Sequence, residues 1–124
     1  MSYLYIVLGA AIGAPLRYYV GSHFRPGIIG NFPLGTFVVN VSGCFLIGLL
    51  LEYATQRGSL SREARLLLVT GFLGSYTTFS AFGWETYDLF KLSQPLTAAL
   101  YAGLSVAAGV LAVWLAAALV RSLI

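Results

Sequence analysis

The sequence predicts an all-α membrane protein with four spanning helices, on three observations. Apolar residues make up 59% of the 124-residue chain and charged residues only 9%, with a mean hydropathy of +0.86; soluble domains are roughly a quarter charged. The apolar residues fall into four runs, 4–20, 35–53, 66–90 and 96–120, each near the ~20 residues that cross a bilayer core about 30 Å thick. The connections are short and hold no low-complexity segment, so residues 1–124 read as one transmembrane unit.

The first run reads YIVLGAAIGAPLRYYV. It lacks a basic start and is followed by no small-residue cleavage site, so a spanning helix is expected rather than a cleaved signal. Gly9 and Gly13 form a small-xxx-small pair that lets a neighbouring backbone approach. Pro15 is placed to kink the helix near its end. Arg17 precedes the aromatic belt of Tyr18 and Tyr19. Two readings of Arg17 are open: a snorkelling anchor, which its position favours, or a positive charge that concentrates anions in a vestibule.

The loop RPGIIGNFP, residues 25–33, is rich in turn formers. In the second run Thr36, Asn40, Gly43 and Ile47 recur at helical spacing and share one face. A mid-span amide costs free energy unless it is partnered. Asn40 therefore either bonds between helices or lines a polar path, its NH₂ donating to an anion. Cys44 has no cysteine to pair with and is expected to fill packing space. His23 has no companion ligands at metal spacing and reads as interfacial.

The connection QRGSLSREAR offers Ser61 as a helix cap and Glu63 for the helix dipole. The third run then carries GFLGSYTTFSAF, residues 71–82. Glycines, serines and threonines cluster there at mid-span. Thr77 and Thr78 are β-branched and divert backbone hydrogen bonding through their hydroxyls. A helix break is expected over Gly74–Thr78, with Gly74 needed for its backbone freedom; a continuous helix with a small packing face is the alternative. Unwound backbone at that depth must line a cavity or be buried in protein, and its carbonyls are ready ion ligands. Phe79 and Phe82 follow on one face with Glu85. Aromatics at that spacing are ordinarily core or lipid-facing, but a positive ring edge can also approach a small anion. Glu85 is either a buried functional acid or interfacial, beside Trp84, Tyr87 and Asp88. In the fourth run Tyr101, Ser105 and Gly109 form a narrow stripe, read as tight packing or as a polar track.

With alternating spans, Arg57, Arg62, Arg65 and Arg121 lie on one face of the membrane and Arg17, Arg25 and Lys91 on the other. Orientation follows the Lys/Arg bias of short loops, and four against three is almost none. Insertion in both orientations would permit an antiparallel dimer.

The motifs GAAIGAPLRY (9–18), FPLGTFVVNVSGCFLIG (32–48) and GFLGSYTTFSAF (71–82) together resemble the CrcB/Fluc family of fluoride channels over essentially the whole chain. The resemblance implies a dual-topology homodimer in the cell membrane with two antiparallel pores exporting fluoride to lower its cytoplasmic level. It implies a structural Na⁺ at the dimer centre, held by backbone carbonyls of Gly74 and Thr77. By motif position it assigns Asn40, Phe79, Phe82 and Glu85 to the ion pathway, Arg17 to the vestibule, and Thr36, Ser80, Tyr101 and Ser105 to a polar track. Some positions depart from the family pattern. Ala81 replaces a usual hydroxyl, Ser75 and Tyr76 stand where a small and an aliphatic residue are common, and Ala10 replaces a common glycine.

Physical reasoning agrees with that implication. A fully apolar pore rejects a strongly hydrated anion, whereas a fixed mid-span Lys or Arg would hold it too tightly. Amide, hydroxyl and ring-edge donors lie between these limits, and no Lys or Arg falls near the middle of a span. Four helices enclose too little space for a lined pore, so two copies are expected. The expected partners are fluoride, lipid and a second copy, not nucleic acid. The rivals are a proton-coupled exporter of dual topology, which would need Glu85 deep in the membrane, and a non-transporting assembly subunit, against which the polar residues of the last three spans argue. No paired carboxylates, phosphate loop or His/Cys pair suggests an enzyme.

Overall fold

The computed structural model describes residues 1–24 and 29–124; Arg25 and the start of the 25–33 loop lie outside them. Its elements are α1 (Ser2–His23), α2 (Leu34–Arg57), α3 (Arg62–Arg65), a π-helix (Leu66–Leu73), α4 (Gly74–Tyr76), α5 (Phe79–Lys91) and α6 (Pro95–Leu123). The π-helix and α3 to α5 together form one path, so four helical stretches are long and apolar enough to cross a membrane. No strand occurs among the described residues.

Each stretch runs past the boundaries expected from the apolar runs, because backbone bonding continues into the polar interface. α1 passes through Pro15 and continues to His23. α2 follows Pro33 and stops at Gly58, whose φ of 102° is the left-handed conformation that ends helices. α3 starts as expected, with the Ser61 hydroxyl accepting from the Ala64 amide at 3.1 Å and Glu63 in the first turn. Pro95 opens α6, where its missing N–H costs nothing.

The chain packs as two helix pairs, α1 against the π-helix and α2 against α6. The first pair uses the glycines of α1. A Cβ at Gly9 would strike the Leu67 carbonyl, and one at Gly71 would stand 2.6 Å from the Ile6 carbonyl. In the second pair a Cβ at Gly48 would lie 2.7 Å from the Val113 carbonyl, and the Cys44 sulfur packs against Gly109. At the interfacial end Glu52 of α2 meets Arg121 of α6 at 3.3 Å. Large apolar side chains such as Leu104, Val106, Val110 and Leu111 remain open on the outer surface of α6, as lipid or a second copy requires.

The third span departs from expectation in two ways. The π-helix, with Gly74 N–H reaching back to Val69 O, is written in no single residue type. The irregular residues are also fewer than Gly74–Thr78. Gly74 is helical at φ −64° and ψ −30°, and α4 continues through Tyr76. Only Thr77 (φ −83°, ψ 161°) and Thr78 (φ −149°, ψ 121°) are extended. Gly74 thus needs no conformational freedom of its own, which corrects the reason expected for it.

Candidate functional site

The two extended threonines are held from α2. Asn40 Nδ2 donates to the Thr78 carbonyl at 3.0 Å, and Asn40 Oδ1 accepts the Thr78 N–H at 2.8 Å. A side-chain amide thus replaces the backbone partners that a helix would supply. One N–H of the Asn40 amide is committed to Thr78, leaving the second for any other acceptor. The Thr78 hydroxyl then caps α5, accepting from the Ala81 amide at 3.2 Å. Thr77 Oγ1 donates back to the Leu73 carbonyl at 3.0 Å. A Cβ at Gly43 would collide with the Thr77 methyl, so the glycine is what admits Thr77 against α2.

Carbonyls at the end of α4 lose their helical donors. The Thr78 N–H, which would serve Gly74 O in a continuing helix, goes to Asn40 instead. Gly74 is open to the outside and borders a groove with Asn40, Leu73, Thr77 and Phe79. The Thr77 carbonyl receives Arg17 Nη1 at a long 3.4 Å. No cation sits at mid-span along the chain, yet the Arg17 side chain reaches back to the interruption. Arg17 also lines a cavity of about 470 Å³ with Glu85 and Asp88, between the ends of α1 and α5 and the start of α2. Opposite charges share that space, so its field is mixed rather than purely positive.

Glu85 organises a second cluster. Its Oε1 accepts from the Thr36 hydroxyl at 2.7 Å and its Oε2 from the Tyr101 hydroxyl at 2.6 Å. Three helices meet in this carboxylate, and both bonds are short because the acceptor is charged. Tyr101 is fully buried. Its ring packs on Phe82 with centroids 5.1 Å apart, and Phe82 in turn lies 5.6 Å from Phe79. Phe79 is 83% exposed, so its ring stands free on the surface of the single chain.

The structure thus joins Thr36, Glu85, Tyr101, Phe82 and Phe79 in one chain of contacts, and ties Asn40 and Arg17 to the interruption. Ser80 stands apart, exposed, with its hydroxyl 3.5 Å from that of Thr78. Ser105 is separate too; its hydroxyl is buried without a hydrogen-bond partner among the described residues. Sequence reasoning did not single out Thr78 as the residue Asn40 grips. The signal available was the spacing of a mid-span amide opposite paired threonines.

The chain matches the family model described as CrcB-like protein, Camphor Resistance (CrcB), over residues 4–117. It is 50% identical over 115 residues to a protein of Acidobacterium capsulatum named fluoride-specific ion channel FluC, covering 93% of this chain and 92% of that protein. Proteins of the same name from Rhizobium etli and Roseiflexus sp. are 42% and 46% identical, with 98% and 99% of this chain and 97% and 99% of those proteins covered.

Proposed function

Because the chain belongs to the CrcB family, matched over residues 4–117, we propose that it is a fluoride-specific channel. It is a multi-pass protein of the cell membrane and a passive conductor, not an enzyme. It carries fluoride outward and lowers the cytoplasmic level of the ion.

The observation that carries the mechanism is the interruption at Thr77–Thr78 beside the Phe79–Phe82–Tyr101 aromatic series. A hydrated anion enters the cavity bordered by Arg17 and exchanges water for weak donors. The Ser105 hydroxyl, without a partner among the described residues, and the second N–H of Asn40 are unpaired donors for that purpose, and the exposed Ser80 hydroxyl, at a long 3.5 Å from Thr78 Oγ1, is only weakly engaged. Thr36 and Tyr101 also carry hydroxyls, but both donate to Glu85, so an anion passing them competes with a carboxylate. Ring edges of Phe79 and Phe82 supply positive potential without a fixed charge. Sites of this strength bind well enough to admit the ion and weakly enough to release it.

One chain leaves Phe79 and Gly74 uncovered, which favours a second copy against that face. Near-balanced Lys/Arg at the two ends permits the copies to insert in opposite orientations, giving an antiparallel homodimer with two pores. In that arrangement Gly74 and Thr77 of each copy would bring carbonyls to the two-fold axis. Carbonyl oxygens freed from a helix suit Na⁺, and the Gly74 carbonyl, released from Thr78, fits that role. The ion would supply a fixed positive charge that offsets facing helix-end dipoles. The carbonyls of Thr77 and Gly74 stay in place because Asn40 and Gly43 hold the extended pair.

The test is passive anion efflux from liposomes holding the purified protein, followed with fluoride and chloride electrodes in parallel. Fluoride loss without chloride loss, and without a pH gradient, is expected. Folded protein that releases no fluoride would overturn the reading and favour proton-coupled export through Glu85.

A further inference from the structure

α2 contacts the interruption one residue at a time. Asn40 grips Thr78, Gly43 admits Thr77, and Ser42 meets Tyr76. The last contact is unused by the mechanism above. Tyr76 is the final helical residue before the extended pair, and it is 3% exposed. Its hydroxyl lies 2.8 Å from Ser42 Oγ. Ser42 already donates to the Val39 carbonyl at 3.0 Å, so its single proton is spent and Tyr76 is the donor. The Tyr76 ring stacks on Phe72 of the π-helix, with centroids 6.0 Å apart and planes 10° from parallel.

We propose that Tyr76 is a positioning residue whose hydroxyl latches onto Ser42 and fixes the point at which the third span leaves the helix. The proposal rests on the channel reading for its consequence, not for its geometry. The need for a latch comes from the neighbouring π-helix. Sliding one residue between π and α registers turns everything downstream by about 100° around the axis. Asn40 fixes the far side of the extended pair at Thr78. Without a fixed point on the near side, the last turn of α4 can slip between registers, which swings the Thr77 carbonyl away from Arg17 and repeatedly breaks the Asn40–Thr78 pairing. A buried tyrosine hydroxyl is costly when unpaired, so the wrong register is penalised at that atom. An apolar side chain at position 76 would fill the space without sensing register.

The test compares the full chain in lipid nanodiscs with Tyr76→Phe, Ser42→Ala, the double variant and Ser42→Thr, by hydrogen–deuterium exchange. The amides of Thr78 and Ala81 report the interruption directly, since their partners are Asn40 Oδ1 and Thr78 Oγ1, and the adjoining cavity lined by Arg17, Thr78 and Ser80 brings water to them. Each single loss of hydroxyl is expected to speed their exchange about tenfold, the worth of one hydrogen bond. The double variant should match the singles, α6 should be unchanged, and Ser42→Thr should behave as wild type. Fluoride efflux should fall by a similar factor in the three loss variants. Unchanged exchange at Thr78 and Ala81 in folded Tyr76→Phe overturns the latch; so does an equal acceleration along α6, which marks general destabilisation. If Tyr76→Phe fails to fold, Ser42→Ala decides alone. Absent fluoride flux in the wild type would refute the channel reading while leaving the exchange comparison to judge the latch.

Discussion

The Asn40 side chain binds both backbone groups of Thr78, its Nδ2 donating to the carbonyl at 3.0 Å and its Oδ1 accepting the N–H at 2.8 Å. This pairing uses the amide as a stand-in for a backbone strand, and it explains how two residues stay extended where continued helix would otherwise satisfy them.

Replacing that amide by a carboxylate keeps one bond and inverts the other. In Asn40→Asp, one oxygen still accepts the Thr78 N–H, but the second faces the Thr78 carbonyl, acceptor against acceptor. The loss is about 1–3 kcal/mol locally, and the added negative charge repels an anion. The variant should assemble, as size-exclusion chromatography in detergent would show, yet lose fluoride efflux from liposomes. Efflux at the wild-type rate would remove Asn40 from the pathway.

Glu85 should be a structural as well as a pathway residue. Tyr101→Phe keeps the ring in its buried site and deletes the 2.6 Å bond to Oε2. Thr36→Val deletes the 2.7 Å bond to Oε1. A hydrogen bond to a charged group contributes about 1.5–3 kcal/mol, so each variant should lose stability of that order in reversible unfolding. Because both donors serve one carboxylate, the double variant should depart from additivity. Neutral effects from both would mean that the carboxylate finds water instead.

Glycine substitutions should separate packing within the chain from packing between copies. Gly71→Ala places a methyl 2.6 Å from the Ile6 carbonyl, and overpacking of this kind costs about 1–3 kcal/mol. At Gly74 the nearest atom to a new Cβ is the Val69 carbonyl at an ordinary 3.5 Å, and the backbone is already helical. Gly74→Ala should therefore leave the fold of one chain intact. Gly74→Leu should fold but fail to associate, if the second copy sits on that face. Cross-linking in membranes reads the difference, and a fully dimeric Gly74→Leu protein would move the interface elsewhere.

Much of the fold was legible in the sequence because the bilayer imposes one strong rule: runs of about 20 apolar residues become spanning helices. The glycines of α1 announced a close approach, and Ser61 and Glu63 announced the start of the third span. The exact course of that span was less legible. The expected break over Gly74–Thr78 held the right threonines, but Gly74, a breaker by residue type, stays helical, and the irregularity is confined to Thr77 and Thr78, where Asn40 supplies the partner. The π-helix coincides with the close fit of Gly71 against Ile6 and Gly9, a relation between segments more than sixty residues apart that no local window carries. Thr36, Glu85 and Tyr101 each stood out as polar residues in apolar runs. Their convergence on one carboxylate required the packing of α2, α5 and α6.

Phe82 joins that convergence to the aromatic series, which makes it the most informative single substitution for anion passage. Its ring lies 5.1 Å from Tyr101 and 5.6 Å from Phe79, so it is placed between a buried hydroxyl-bearing ring and an open one. Phe82→Ile retains apolar bulk but removes the ring edge, the only part of the side chain with positive potential. The isoleucine also leaves a gap beside Tyr101, at about 1–2 kcal/mol for an imperfect apolar swap. That cost is too small to unfold a helical bundle, so the folded protein should persist. If the ring edge stabilises the anion, fluoride efflux should fall to the liposome background. Retained efflux in a folded Phe82→Ile protein would show that hydroxyl and amide donors alone carry the ion, with the aromatic series serving only as packing.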